Sequence, residues 1–204
     1  MLSCHPIHLY IVEPCYTSPE FTWSHPISIS YPSHLGHHEK YEPTIFDNYH
    51  THTLYNGEPI ALALMDTAGQ EDYDHLRPLA YPNTDLFIIC FSVVSPHSFE
   101  NVQSKWYPEL QKNCPGVPIL LVGTKCDLRE NNDVLNILHA KGLQPIGEQQ
   151  GETMAKLIGA IGYMECSALT GENIKGVFDL AIDGLMKHKV KKQRKKSKSK
   201  CVVM

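Results

Sequence analysis

Six consecutive apolar residues, Leu86-Phe87-Ile88-Ile89-Cys90-Phe91, stand between the polar Asp85 and Ser92. The run is short for a buried helix and lacks the alternation of a half-exposed strand, so it predicts a strand covered on both faces. Strands of that kind belong to parallel sheets, whose crossover connections lay helices over both sides. Pro118 to Val122 repeats the pattern, and Tyr163 to Cys166 forms a third, shorter run. Helical spacing fills the gaps. Ser98 to Lys112 places Phe99, Val102, Trp106 and Leu110 on one face, and Glu148 to Ile158 is a second helix. Glu172 to Met186 carries an apolar stripe of Ile174, Val177, Phe178, Ala181, Ile182 and Leu185. Upstream, Asn56-Gly57 is a type I′ turn signal joining Thr51–Tyr55 to Ala61–Met65. The expectation is an α/β fold with one mostly parallel sheet.

Charge divides the chain. All 22 Asp and Glu lie at or before Asp183, and nine of the 18 Lys and Arg lie between Lys187 and Lys200. The body to Met186 therefore carries a net −13 and the tail +9. An acidic body argues against a folded surface that binds nucleic acid, and a basic tail seeks an anionic surface. No apolar run approaches the roughly 18 residues of a membrane span. Seven Cys, an odd number, make a poor disulfide framework, and reduced thiols are expected. Residues 1–40 hold six of the twelve His and five of the fourteen Pro. Scattered Pro breaks both helix and central strand, so this head is expected to be irregular, with Ile7–Val12 as its one candidate strand. Its His and Cys match no zinc spacing. Residues 187–204 are expected to be a mobile tail.

Three motifs carry chemistry, each at a predicted strand end, where open α/β sheets place their ligands. Asp66-Thr67-Ala68-Gly69-Gln70 follows Ala61–Met65. Asp66 there suits Mg²⁺ through water, Gly69 lets the backbone approach a phosphate, and Gln70 can orient an attacking water. Thr124-Lys125-Cys126-Asp127 ends the strand after Pro118. A carboxylate at Asp127 can accept two hydrogen bonds from the pyrimidine edge of guanine, and the stem of Lys125 can cover the base plane. Glu165-Cys166-Ser167-Ala168-Leu169 ends the next strand, where small residues let backbone N–H groups reach the guanine 6-oxo group. Each alone has a bland reading as a polar turn. Together, in this order, they are specific.

From Tyr41 onward the chain resembles the Rho-type small GTPases of the Ras superfamily. Tyr41-Glu42-Pro43-Thr44-Ile45-Phe46-Asp47-Asn48-Tyr49 is similar to the family's switch I, and Asp66 to Leu79 to its switch II. Thr124 to Asp127 and Leu169 have the Rac-like form, and residues 128–145 match the Rho insert. The resemblance implies a three-layer P-loop NTPase-like fold over residues 41–186. It also implies GTP/GDP and Mg²⁺ as cofactors, and hydrolysis of GTP. By the same resemblance Thr44 ligates Mg²⁺ with Asp66, Tyr41 lies over the phosphates, and Gln70 positions the hydrolytic water. Tyr41, Thr44, Asp66, Gly69, Thr124, Lys125, Asp127, Ser167, Ala168 and Leu169 would bind nucleotide. Effectors, exchange factors, GTPase-activating proteins and dissociation inhibitors would be its partners, with no nucleic acid among them. Control of actin and cell polarity is the family's role.

The family's Gly-rich phosphate loop, ending in Lys, is expected upstream of switch I. The first Gly here is Gly36 and the first Lys is Lys40. The fold is therefore expected with its first strand and helix missing or replaced. Smaller departures are Met65 for Trp and His75 for Arg. Two other readings stay open: an interaction protein defective in nucleotide binding, and a gene model truncated or misassigned over residues 1–40. The end of the chain is more explicit. Cys201-Val202-Val203-Met204 is a Cys-aliphatic-aliphatic-X terminus, so Cys201 is the expected prenylation site. The basic run before it supplies the second signal that one lipid chain needs. Together they lead us to expect the protein at the cytoplasmic face of the plasma membrane, with a cytosolic pool.

Overall fold

The computed structural model describes residues 7–12, 46–67 and 74–199. Six strands form one sheet: β1 Ile7–Val12, β2 Phe46–Tyr55, β3 Glu58–Thr67, β4 Leu86–Ser92, β5 Ile119–Thr124 and β6 Tyr163–Glu165. Their order is β2-β3-β1-β4-β5-β6. Every neighbouring pair is parallel except the β2–β3 hairpin. That hairpin turns on Asn56 and Gly57, both at positive φ (51° and 81°), as a type I′ turn demands. β4 and β5 are buried at every position, as their unbroken apolar runs predicted.

Helices cover both faces. α5, Ile174–Ser199, packs Val177, Phe178, Ala181, Ile182 and Leu185 against Leu9, Leu64, Ile88 and Leu120. The other face holds Tyr10, Phe87, Ile89 and Leu121. It is covered by Val102, Trp106 and Leu110 and by α4 (Glu148–Leu157) through Met154 and Ala155. The helix expected over Ser98–Lys112 is present in three pieces: α1 Pro96–Asn101, a π turn Val102–Trp106, and α2 Tyr107–Asn113. Pro108 has no N–H to offer the Ser104 carbonyl, and the ladder widens just before it. α3, Asn132–Ala140, lies inside the expected insert and starts at Asn131, whose side chain accepts from the N–H groups of Asp133 and Val134.

The one strand expected in the head is present, and Ile7–Val12 is the replacement first strand. It lies between β3 and β4, in register Leu9↔Leu64 and Leu9↔Leu86. Five of its six residues are apolar and buried, enough to displace water from a central slot despite the prolines that follow. The tail expectation is corrected: the segment after Met186 is helical, with α5 running on to Ser199. Lys, Arg and Gln are good helix formers and no Gly or Pro interrupts them, so a helix already docked needs no new nucleus. Lys187 also pairs with Asp183 at 2.5 Å, and Lys189 with Asp85 at 2.8 Å.

Candidate functional site

All five parallel strands bring their C-terminal ends to one edge. β1 sits at the point where the chain reverses direction across the sheet, the position at which open α/β sheets bind ligands. Asp66 lies there by its backbone, opposite Ile11 on β1. Tyr41, Thr44, Gly69 and Gln70 fall outside the described residues, as does Cys201. Of the two candidate Mg²⁺ ligands only Asp66 is therefore placed. No cluster of three metal-binding side chains occurs among the described residues.

The two loops expected to meet the base are both described. β5 stops at Thr124, whose buried hydroxyl donates to the Phe91 carbonyl (3.0 Å), so it ties the ends of β4 and β5 together. Lys125 follows in the left-handed region (φ 60°), an uncommon conformation for a residue with a Cβ. It throws the chain out of the sheet into a 3₁₀ turn, Cys126–Leu128, that carries Asp127. Asp127 is half-buried, and its carboxylate takes no hydrogen bond from another described residue. The second loop is fixed from within. Ser167 is fully buried; its N–H donates to the Glu172 carbonyl (3.0 Å) and its Oγ accepts from Thr170 N–H (3.2 Å). Its amide is thus committed to the loop. The Ala168 and Leu169 N–H groups, with no partner among the described residues, are the donors left for a carbonyl. Leu169 is the most exposed large apolar side chain described, at 84%.

The two loops are joined directly. Cys126 N–H donates to the Cys166 carbonyl (3.3 Å), and Cys166 N–H to the Gly123 carbonyl (2.8 Å). A free carboxylate and free amides thus stand on adjoining loops, the donor–acceptor pattern that guanine complements. A family model described as the Ras family matches residues 31–187. The chain belongs to the Ras family. Ras-family proteins bind guanine nucleotides with Mg²⁺, and the six-stranded sheet with helices on both faces is the small GTPase fold.

Sequence reasoning missed the residues behind this Ras-family site. Arg129 forks onto Glu165 with two contacts of 2.6 Å and also donates to the Ile146 carbonyl (3.2 and 3.0 Å). Tyr163 donates its hydroxyl to the same carboxylate (2.6 Å). Glu165's hydrogen bond raises the Arg129 pKa, outweighing burial, which lowers it. Burial first, and then Glu165, pushes the Tyr163 phenol well above its ordinary value. Burial and the nearby Glu172 carboxylate raise the Cys126 thiol, so it stays protonated at neutral pH. The available signal was an Arg two residues after Asp127 and a Glu one residue before Cys166, opposite charges at neighbouring strand ends. A cleft of about 450 Å³ opens beside them, lined by Arg129, Glu148, Glu152, Glu165 and Glu172 among others.

Proposed function

We propose that this Ras-family chain is a Rho-type signalling switch that recognises GTP and GDP through the Asp127 and Ala168 loops. The observation that carries the reading is the join between those loops, with an uncommitted carboxylate on one and uncommitted amides on the other. The helix α3 between β5 and α4, at the position of the Rho insert, supports the finer subfamily assignment. The basic extension of α5 and the Cys201 terminus support a prenylated form on the cytoplasmic leaflet. Effectors and regulators of the Rho type, and control of the actin cytoskeleton, follow as part of the same proposal.

A second reading concerns the phosphates. Ile7–Val12 fills the central slot, and in the sequence it is followed by residues without phosphate-loop character. They read Glu13-Pro14-Cys15-Tyr16-Thr17-Ser18-Pro19-Glu20, with two acids, two prolines and neither Gly nor Lys. Forgoing about four charge-assisted hydrogen bonds at ~1.5–3 kcal/mol each removes roughly 6–12 kcal/mol of affinity. The chain would then read the base while gripping the phosphates weakly, and hydrolysis would be impaired. Titration with a fluorescent GDP analogue in Mg²⁺ separates the two. Sub-micromolar affinity supports a working switch. Binding only at high micromolar to millimolar concentration, lost in Asp127→Asn, supports base recognition without a phosphate grip. Binding indifferent to Asp127→Asn would sink the guanine reading.

A further inference from the structure

We propose that Arg129 and Glu165 are positioning residues for the guanine ring: they lock the Asp127 loop to the Ser167–Ala168 loop so that both edges of the base are read at once. The proposal rests on the guanine reading above and goes beyond it to the residues that set its precision.

Asp127 and Ala168 belong to different loops, and a purine contacts both only if their separation is fixed. Two backbone hydrogen bonds join the loops at their roots, Cys126 N–H to the Cys166 carbonyl (3.3 Å) and Cys166 N–H to the Gly123 carbonyl (2.8 Å), and the Cys126 thiol donates weakly to Glu172 (3.7 Å). The Arg129–Glu165 fork adds the charge-assisted two-point contact between the segments that carry the loops. Arg129 closes the turn that carries Asp127, donating its N–H to the Cys126 carbonyl at 3.2 Å. Glu165 precedes Cys166, and its own carbonyl accepts from the Asn173 side chain (3.0 Å), which ties it to the far end of the Ser167–Glu172 loop. Two parallel N–H···O bonds fix both distance and plane, which a point charge does not.

Each partner is braced in turn. Ile146 supplies a third anchor to Arg129 from the segment leading into α4. Tyr163 holds the Glu165 carboxylate, and its ring lies parallel to Phe91 at 6.1 Å. That ring runs through a slot kept open by two glycines. A Cβ on Gly151 would meet Tyr163 Cζ at 2.1 Å, and one on Gly123 would meet its Oη at 2.7 Å. Arg129 and Glu165 spend their charges on each other, so their effect on the base passes through the loops they hold.

The test titrates the full chain with GDP and with IDP, which lacks the 2-amino group read by Asp127. Amide NMR shifts of Cys126 and Ala168 report binding up to millimolar ligand. Wild type should prefer GDP, and Asp127→Asn should abolish that preference; if wild type shows no preference, the guanine reading fails and the positioning role with it. Given that preference, Arg129→Ala should weaken GDP by roughly ten- to a hundredfold and bring the GDP:IDP ratio toward one. Arg129→Lys should recover only part of it, because Lys lacks the fork. Glu165→Gln, which keeps the side chain's shape, guards against an Arg129→Ala chain that does not fold. A purely structural role would lower the melting temperature and leave the GDP:IDP ratio of the folded protein unchanged. An unchanged ratio in both Arg129→Ala and Glu165→Gln overturns the proposal.

Discussion

Leu9→Ala is the sharpest test of the first strand. Leu9 is fully buried at the centre of β1, paired with Leu64 on one side and Leu86 on the other, and packed in the core beneath α5. Removing three carbons there leaves a cavity that two flanking strands cannot close without breaking their ladders. Large-to-small changes at such sites cost about 2–5 kcal/mol. For a chain of this length each kcal/mol lowers the melting temperature by roughly 2–4 °C, so a fall of about 4–20 °C is expected. Urea unfolding measures the free energy directly, and an unchanged slope would show that the same surface is exposed on unfolding. His8→Ala is the control: that side chain is only half-buried, its backbone N–H bond to Asp85 survives, and the cost should stay within about 0.5 kcal/mol. A loss below about 1 kcal/mol for Leu9→Ala would mean that Ile7–Val12 does not fill the central slot. The phosphate-loop argument built on it would then fall.

Other predictions follow from side chains far from β1. Arg77 is buried, its Nη1 shared between both Glu109 carboxylate oxygens (3.0 and 3.2 Å), its Nη2 bonded to Asp74 (2.7 Å), and its guanidinium stacked over Trp106. Arg77→Ala strands the Glu109 carboxylate beside Tyr81 and should cost about 3–5 kcal/mol in urea unfolding. Burial pushes the Asp74 carboxyl up, but Arg77 and Lys105 outweigh it and hold it below the ordinary value. Its contribution is therefore present above the unfolded pKa of about 3.9 and fades as pH falls through the lower folded one. Asp74→Asn should thus flatten the loss of stability on acidification, and an identical acid limb in the variant would refute the coupling. Cys201→Ser should release the protein from membranes. Neutralising Lys191, Lys192, Arg194, Lys195 and Lys196 should weaken co-sedimentation of prenylated protein with anionic vesicles, in a salt-dependent way. Binding blind to lipid charge would disprove the two-signal account.

What the sequence made legible has a common cause: those features are local. The buried strands announce themselves through unbroken apolar runs, and the hairpin through Asn56-Gly57, because each signal needs only its neighbours. β1 was legible only as a candidate. His8 interrupts its apolar run, and what makes it a central strand is pairing with residues more than fifty positions away. The π turn was invisible, since Phe99, Val102, Trp106 and Leu110 fit an ordinary helix and only Pro108 hints at the break. The tail was misread because its charge forbids a core of its own, whereas a helix extended from a docked stem needs none. Within the site, Asp127 and Ser167–Leu169 were readable as motifs. Arg77 and Arg129 were not, because nothing local separates an Arg held by two partners from a solvated one.

The unbroken length of α5 has a mechanical consequence. At about 1.5 Å per residue the 26 residues from Ile174 to Ser199 make a rod of roughly 39 Å. One end begins directly after Asn173, whose side chain donates to the Glu165 carbonyl at the root of the Ser167–Glu172 loop; the other carries the basic cluster. A supple linker would absorb any pull on that cluster. A rod delivers it as torque. Whatever seizes the basic end therefore aims the ligand edge of the sheet as well as tethering it, and a change of tilt there arrives at the loop holding Ala168.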